Sequence, residues 1–166
     1  MTDDQAGRKA TAVRGVVCWS AGVLALLVAL PLVAAGRLPD RLATHWDAGT
    51  GEPDGSMPLW AASLFPALIW AVTATIVLLT RRRVRATSNG GTRGWAGATL
   101  GFGGVALLGG QACVVRANLD HADWHEAGSV TGGVVVTLVA AAAVGGAALL
   151  AGHRAQALAP KRDPEG

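Results

Sequence analysis

Residues 58–80 read PLWAASLFPALIWAVTATIVLLT, an apolar run without a single Asp, Glu, Lys, Arg or His. An α-helix rises 1.5 Å per residue, so about 20 such residues cross the roughly 30 Å hydrocarbon core of a bilayer. Only helices and closed barrels satisfy their backbone hydrogen bonds in that core, and this continuous run lacks the alternation of a barrel strand. The sequence therefore predicts a transmembrane helix here.

Three further runs share this character, and the four predicted transmembrane helices cover about residues 15–36, 58–80, 95–115 and 127–152. Of the 166 residues, 51% are hydrophobic and only 15% are charged, whereas a soluble domain carries roughly a quarter charged residues. We therefore predict an all-α membrane protein with one four-helix membrane domain, residues 1–152. Residues 153–166 are predicted to form a short, disordered cytoplasmic tail.

The basic residues predict how the chain is oriented in the membrane. Eleven of the 14 Lys and Arg residues fall in the N-terminal tail, the loop after the second helix and the C-terminal tail. The loops on the other side hold Arg37, Arg41 and Arg116. Because cytoplasmic segments carry an excess of Lys and Arg, we expect both termini in the cytoplasm and the other two loops outside the cell membrane. This bias also accounts for the net charge of +3, so the expected partner is the lipid bilayer and not nucleic acid.

The first apolar segment has a second interpretation. Basic residues precede it and Val33-Ala34-Ala35 stands near its end, a pattern also found in cleaved signal peptides. Its apolar run exceeds the about 7–15 residues usual for such peptides, which favours a retained helix. Cleavage would leave three helices.

The predicted helices hold no Asp, Glu, Lys, Arg or His, and Gln111 is their one strong polar group at depth. Coupled transporters generally place ionisable side chains at mid-membrane, so a transporter acting alone is not expected. Glycines at small-xxx-small spacing, Gly97 with Gly101 and Gly128 with Gly132, predict close helix packing. This packing occurs either within the chain or in a homodimer.

The first outer loop, residues 37–57, reads RLPDRLATHWDAGTGEPDGSM. It is long for a connection between neighbouring helices, and such length often accompanies function. It brings an imidazole, that of His45, close in sequence to several carboxylates, and Pro53-Asp54-Gly55 predicts a turn. The loop is either a binding site or a rigid lid that needs its apolar and proline residues for packing alone.

The run Leu-Pro-x-x-Leu-x-x-His-Trp-Asp, followed by Gly-x-Pro-Asp, resembles a bacterial membrane domain of unknown function that forms the N-terminal part of SdpI-type immunity proteins. The matching positions are Leu38, Pro39, Leu42, His45, Trp46, Asp47, Gly51, Pro53 and Asp54. The resemblance covers about residues 15–80. It departs from the family pattern at Ala43, where the family usually has proline, and at Met57, near where a lysine is common. The longer C-terminal membrane domain of the full immunity proteins is not recognised in this sequence.

We predict a binding or sensing role for this loop, and the resemblance implies that immunity is one form of it. In SdpI-type relatives, such domains accompany immunity to a secreted toxin and relay of its presence inward. The implied partner is a peptide toxin, an envelope component or a membrane protein. The residues implied to bind it are His45, Trp46, Asp47 and Asp54.

The second outer loop, residues 116–126, reads RANLDHADWHE. If this loop is helical, His121 and His125 share one face at i and i+4, a spacing that can chelate a metal ion. With His45 and Asp54 of the first loop they make a candidate site for zinc or another divalent transition metal, which imidazole and carboxylate ligands suit. No multi-ligand motif such as HExxH accompanies them.

Three functions agree with these patterns. The first is a non-enzymatic binding, sensing or immunity-type protein that uses the first outer loop and needs no cofactor. The second is an extracytoplasmic metal-binding protein or metal-dependent enzyme that uses the outer histidines. The third is a structural partner of a membrane transporter that packs through the glycine-rich helix faces.

Overall fold

The computed structural model describes residues 2–87 and 93–157, which form four helices, one β-hairpin and two short 3₁₀ turns. In chain order the elements are helix α1 (Thr2–Val33), a first 3₁₀ turn (Ala35–Arg37), strands β1 (Arg41–Trp46) and β2 (Pro53–Pro58), helices α2 (Leu59–Thr87) and α3 (Arg93–Asn118), a second 3₁₀ turn (Trp124–Glu126) and helix α4 (Thr131–Ala157). We call the end of the bundle that carries β1, β2 and the second 3₁₀ turn the hairpin end.

All four helices are long and apolar enough to cross a membrane, which confirms the predicted helical architecture. The apolar spans within them are Val13–Val33, Leu59–Arg81, Gly94–Asn118 and Thr131–Ala155. The first helix ends at Val33, slightly before the predicted limit. The last helix continues through residues 153–157, which were predicted as tail, whereas residues 158–166 lie outside the described part of the chain.

The start of α4 corrects the sequence analysis. This helix begins at Thr131, and residues 127–130 are not helical although they are free of charge. The reason is a contact with α3, since the backbone N–H of Gly128 donates to the carbonyl oxygen of Ala117 at 2.8 Å. The predicted pair Gly128 and Gly132 therefore does not lie on one helix face.

Helices α1, α2 and α3 pack around a core that two tryptophans help to fix. Trp70 of α2 is 1% exposed, and its indole N–H donates to the carbonyl oxygen of Ser20 at 2.9 Å. Trp19 of α1 donates in the same way to the carbonyl oxygen of Leu100 at 3.1 Å. Because apolar burial drives helix association little within a membrane, such interhelical hydrogen bonds and close packing hold the helices together.

Helix α4 packs mainly against α3, and glycines allow the two backbones to approach closely. A Cβ added at Gly109 of α3 would lie 2.3 Å from Cγ2 of Thr137, too close for any real side chain. At the predicted small-residue positions, a Cβ on Gly101 would lie 3.0 Å from Val144, and one on Gly97 would touch α4 as well. These two glycines thus serve packing within the chain.

The first loop between helices is a β-hairpin, a structure that the sequence analysis did not predict. Strands β1 and β2 pair antiparallel, from Arg41 opposite Pro58 to Trp46 opposite Pro53, with an irregularity between them. The predicted turn at residues 53–55 is wrong, because these residues belong to β2. The chain instead reverses between the two strands.

Candidate functional site

The hairpin is fastened to the bundle by Asn118, the last residue of α3, which is completely buried. Its side chain acts on Ala43 of β1 as a neighbouring strand would. The N–H of Ala43 donates to Asn118 Oδ1 at 2.7 Å, and Asn118 Nδ2 donates to the carbonyl oxygen of Ala43 at 3.0 Å. A proline, usual at this position in the resembling family, has no N–H to donate. The anchor therefore requires a residue other than proline at position 43.

Two further contacts hold the hairpin end of the bundle together. The guanidinium of Arg37 makes a two-pronged ion pair with Asp120, at 2.8 and 2.5 Å, and the N–H of Asp120 donates to the carbonyl oxygen of Arg37 at 2.9 Å. This pair raises the pKa of Arg37 and lowers the pKa of Asp120. On the other side of the hairpin, the indole N–H of Trp46 donates to the carbonyl oxygen of Gly128 at 3.2 Å. The hairpin is thus tied to both ends of the α3–α4 connection.

Asp47, one of the residues predicted to bind a ligand, builds the turn of the hairpin. Its Oδ1 accepts hydrogen bonds from the N–H groups of Gly49 and Thr50, at 2.9 and 2.8 Å, and from the Thr50 hydroxyl at 3.1 Å. These bonds favour the carboxylate form and lower the pKa of Asp47. Gly51 then adopts a φ of 73°, a left-handed conformation that glycine takes without strain.

The structure brings His45 and Asp54 together across the two strands. Nδ1 of His45 lies 2.5 Å from Oδ1 of Asp54, and the side chains are 73% and 44% exposed. Gly55 stands opposite His45, where an added Cβ would lie only 3.0 Å from the Cβ of the histidine. The pair is one exposed polar feature of the hairpin, and Arg41, which donates to the Ser56 hydroxyl at 3.0 Å, is another.

The four predicted metal ligands do not converge. The second loop is not α-helical at His121 and His125, so these residues do not share a helix face. His125 instead pairs with Asp123 at 2.6 Å. The hydrogen bond from the backbone N–H of His125, together with this side-chain contact, lowers the pKa of Asp123. Within residues 2–87 and 93–157, no group of three or more His, Cys, Asp or Glu side chains is placed to hold a metal ion.

Beneath the hairpin lies a cavity of about 360 Å³ between α2, α3 and the start of α4. Trp46 and Met57 line it from the hairpin, and Phe65 and Val134 line it from the helices. The buried Gln111, which also borders it, donates to the carbonyl oxygen of Ala62 at 3.1 Å. The side chain of Trp46 thus borders this mostly apolar cavity, which sequence reasoning had no means to locate.

These features define a class of protein, a bundle of four helices of membrane-spanning length with a β-hairpin fastened over one end. Residues 22–70 match the family model described as Domain of unknown function (DUF1648), from the middle of α1 through the hairpin into α2. This match agrees with the predicted domain of unknown function. No curated protein and no solved structure matches the chain.

Proposed function

We propose that this chain is a non-enzymatic binding or sensing protein of a bacterial-type cytoplasmic membrane, and that its hairpin recognises a peptide on the outer side. The carrying observation is the exposed His45–Asp54 pair on a hairpin that the bundle holds rigid. A rigid recognition element loses little conformational entropy on binding, so little of the free energy of its polar contacts is spent on ordering the hairpin. The positive-inside distribution of Lys and Arg supports an outer location for the hairpin.

The proposal narrows the predicted recognition residues to His45 and Asp54. Asp47 accepts three hydrogen bonds within its own turn, and Trp46 is half-buried against the cavity. Both of them shape the hairpin, whereas the His45–Asp54 pair offers a donor and an acceptor to a partner. Immunity to a secreted peptide, which the family resemblance implies, is the form of this function that we favour.

The test is peptide selection on the purified full-length chain in detergent. Peptides that bind the wild type are selected from a random library, and their affinity is then measured for the His45→Ala, Asp54→Asn double variant. We expect binding to weaken at least about tenfold, the effect of losing one to two hydrogen bonds, one of them to a charged group. Glu52→Gln, which removes a nearby exposed charge, is the matched control and should bind normally.

Two results would count against the proposal. The first is a selection that yields no binder of the hairpin end although the protein is folded. The second is a set of binders that lose affinity for the Glu52 control as much as for the double variant, because this would show a general charge effect. The metal-dependent and transporter-partner roles remain predictions that no contact in the described residues favours.

A further inference from the structure

A second pocket, of about 220 Å³, lies beside the cavity under the hairpin and has a different character. Arg116, His121 and Ser129 line it, so it presents a permanent cation, an imidazole and a hydroxyl. Cys113 and Val130 line both spaces, which therefore adjoin. A polar pocket and a mostly apolar cavity therefore lie side by side and share these two lining residues.

The charge of the second pocket is not cancelled by the acids next to it. Asp120, beside His121 in the sequence, is paired with Arg37, and Asp123 is paired with His125. In the described part of the chain, no carboxylate forms an ion pair with Arg116. The pocket consequently offers an arginine side chain to an anion from outside the chain.

From this juxtaposition we infer that the hairpin end binds an anionic lipid of the surrounding membrane, with its phosphate-type headgroup at Arg116 and His121 and one tail in the cavity under the hairpin. Arginine binds phosphate groups with two parallel hydrogen bonds, and an imidazole carries an N–H donor in every protonation state. The cavity volume of about 360 Å³ falls in the range of roughly 300–1,000 Å³ typical of ligand sites. This site is separate from the proposed peptide recognition, which uses the exposed pair on the outer surface of the hairpin.

A free phosphate ion would satisfy the polar pocket but would leave the cavity unexplained. The lining of the cavity is dominated by side chains such as Phe65, Leu107 and Val134, which favour a hydrocarbon tail. The two parts of the ligand can therefore be tested independently, by changing the headgroup and by changing the tail.

The experiment measures binding to the full-length wild-type chain in neutral detergent, by native mass spectrometry and by the shift in Tm. The probes are dodecyl phosphate, dodecanol, butyl phosphate and inorganic phosphate. We expect dodecyl phosphate to bind at least about tenfold more tightly than the other three, because each of them lacks either the charge or the long tail. Equal binding of dodecanol, or an equal effect of inorganic phosphate, would overturn the lipid assignment.

Variants then locate the two ends of the ligand. Arg116→Gln should weaken the binding of dodecyl phosphate about tenfold, the effect expected for the loss of a charge-assisted hydrogen bond. Arg154→Gln, at the far end of α4, should leave this binding unchanged. Gly110→Leu should block the tail, since Gly110 borders the cavity and an added Cβ there meets no atom within 4 Å. Gly22→Leu, at an equally open position of α1, is its control.

If both Arg116→Gln and Gly110→Leu bind dodecyl phosphate as tightly as the wild type, the lipid lies elsewhere and the inference is refuted. If Gly110→Leu does not fold, the comparison of dodecyl with butyl phosphate on the wild type decides whether a tail is bound. Failure of this site would leave the hairpin's outer pair, and with it the proposed function, unaffected.

Discussion

Replacing Asn118 by alanine tests whether the end of α3 holds the hairpin in place. The change removes both partners of the Ala43 backbone, the acceptor at 2.7 Å and the donor at 3.0 Å. Both residues are completely buried, so water reaches the orphaned groups only if the hairpin moves. Each buried polar group left unpaired costs about 1–3 kcal/mol. We expect the free energy of unfolding to fall by about 2–4 kcal/mol, since some rearrangement will reduce the full cost of two groups.

Two measurements check this prediction. Unfolding in mixed micelles, followed by tryptophan fluorescence, gives the loss in stability. Hydrogen exchange gives the location, because the amide of Ala43 should lose its protection while amides in the middle of α2 keep theirs. Asp40→Ala, at an exposed position just before β1, is the control and should change neither.

The reasoning would be refuted by an Asn118→Ala variant that loses less than about 0.5 kcal/mol and still protects the Ala43 amide. Such a result would mean that strand pairing alone fixes the hairpin. A loss of stability spread evenly over all helices would point to damage in α3 instead, and would also contradict a local anchor.

Two further predictions concern packing and pH. Gly109→Ala should destabilise the chain by about 1–3 kcal/mol through a clash between α3 and α4, whereas Gly110→Ala, where there is open space, should be nearly neutral in the same unfolding assay. Because its pairing with Arg37 lowers the pKa of Asp120, the stabilisation from this pair is complete above the ordinary value of 3.8 and is lost as pH falls through the lower pKa of the folded state. Asparagine adopts the left-handed φ of 63° that Asp120 has, so Asp120→Asn keeps the backbone while it removes the titrating carboxylate. In this variant, the acid-dependent loss of hydrogen-exchange protection in the hairpin should disappear. An unchanged loss would assign it to another group.

The helices were predictable because their apolar runs have a direct physical meaning, the thickness of a bilayer. The ends of the helices were harder to predict. Residues 127–130 are uncharged but not helical, because the N–H of Gly128 donates to the carbonyl oxygen of Ala117. The hairpin could not be predicted from its own composition. Its strands contain two prolines and a glycine, which are poor strand formers, and it depends on Asn118 for a buried partner.

The candidate site was predicted in part. His45 and Asp54 could be expected to lie near each other because they belong to one short loop, and their side chains are in contact. The described residues do not bring the two loops together in one metal site. His45 and His125 each pair with a carboxylate of their own loop. The cavity and the polar pocket are lined by residues from elements far apart in the chain, and no local pattern in the sequence encodes that.

The anchor at Asn118 also sets an order in time. It lies 75 residues beyond Ala43, so a ribosome adding about 5–20 residues per second makes the hairpin about 4–15 s before its fastening exists. During that interval the segment matched by the family model, residues 22–70, exists without the residue that fastens its two strands to the bundle. The hairpin is fixed to the bundle only after α3 has been synthesised. Folding of the first half of the chain is therefore complete only when the second half is present.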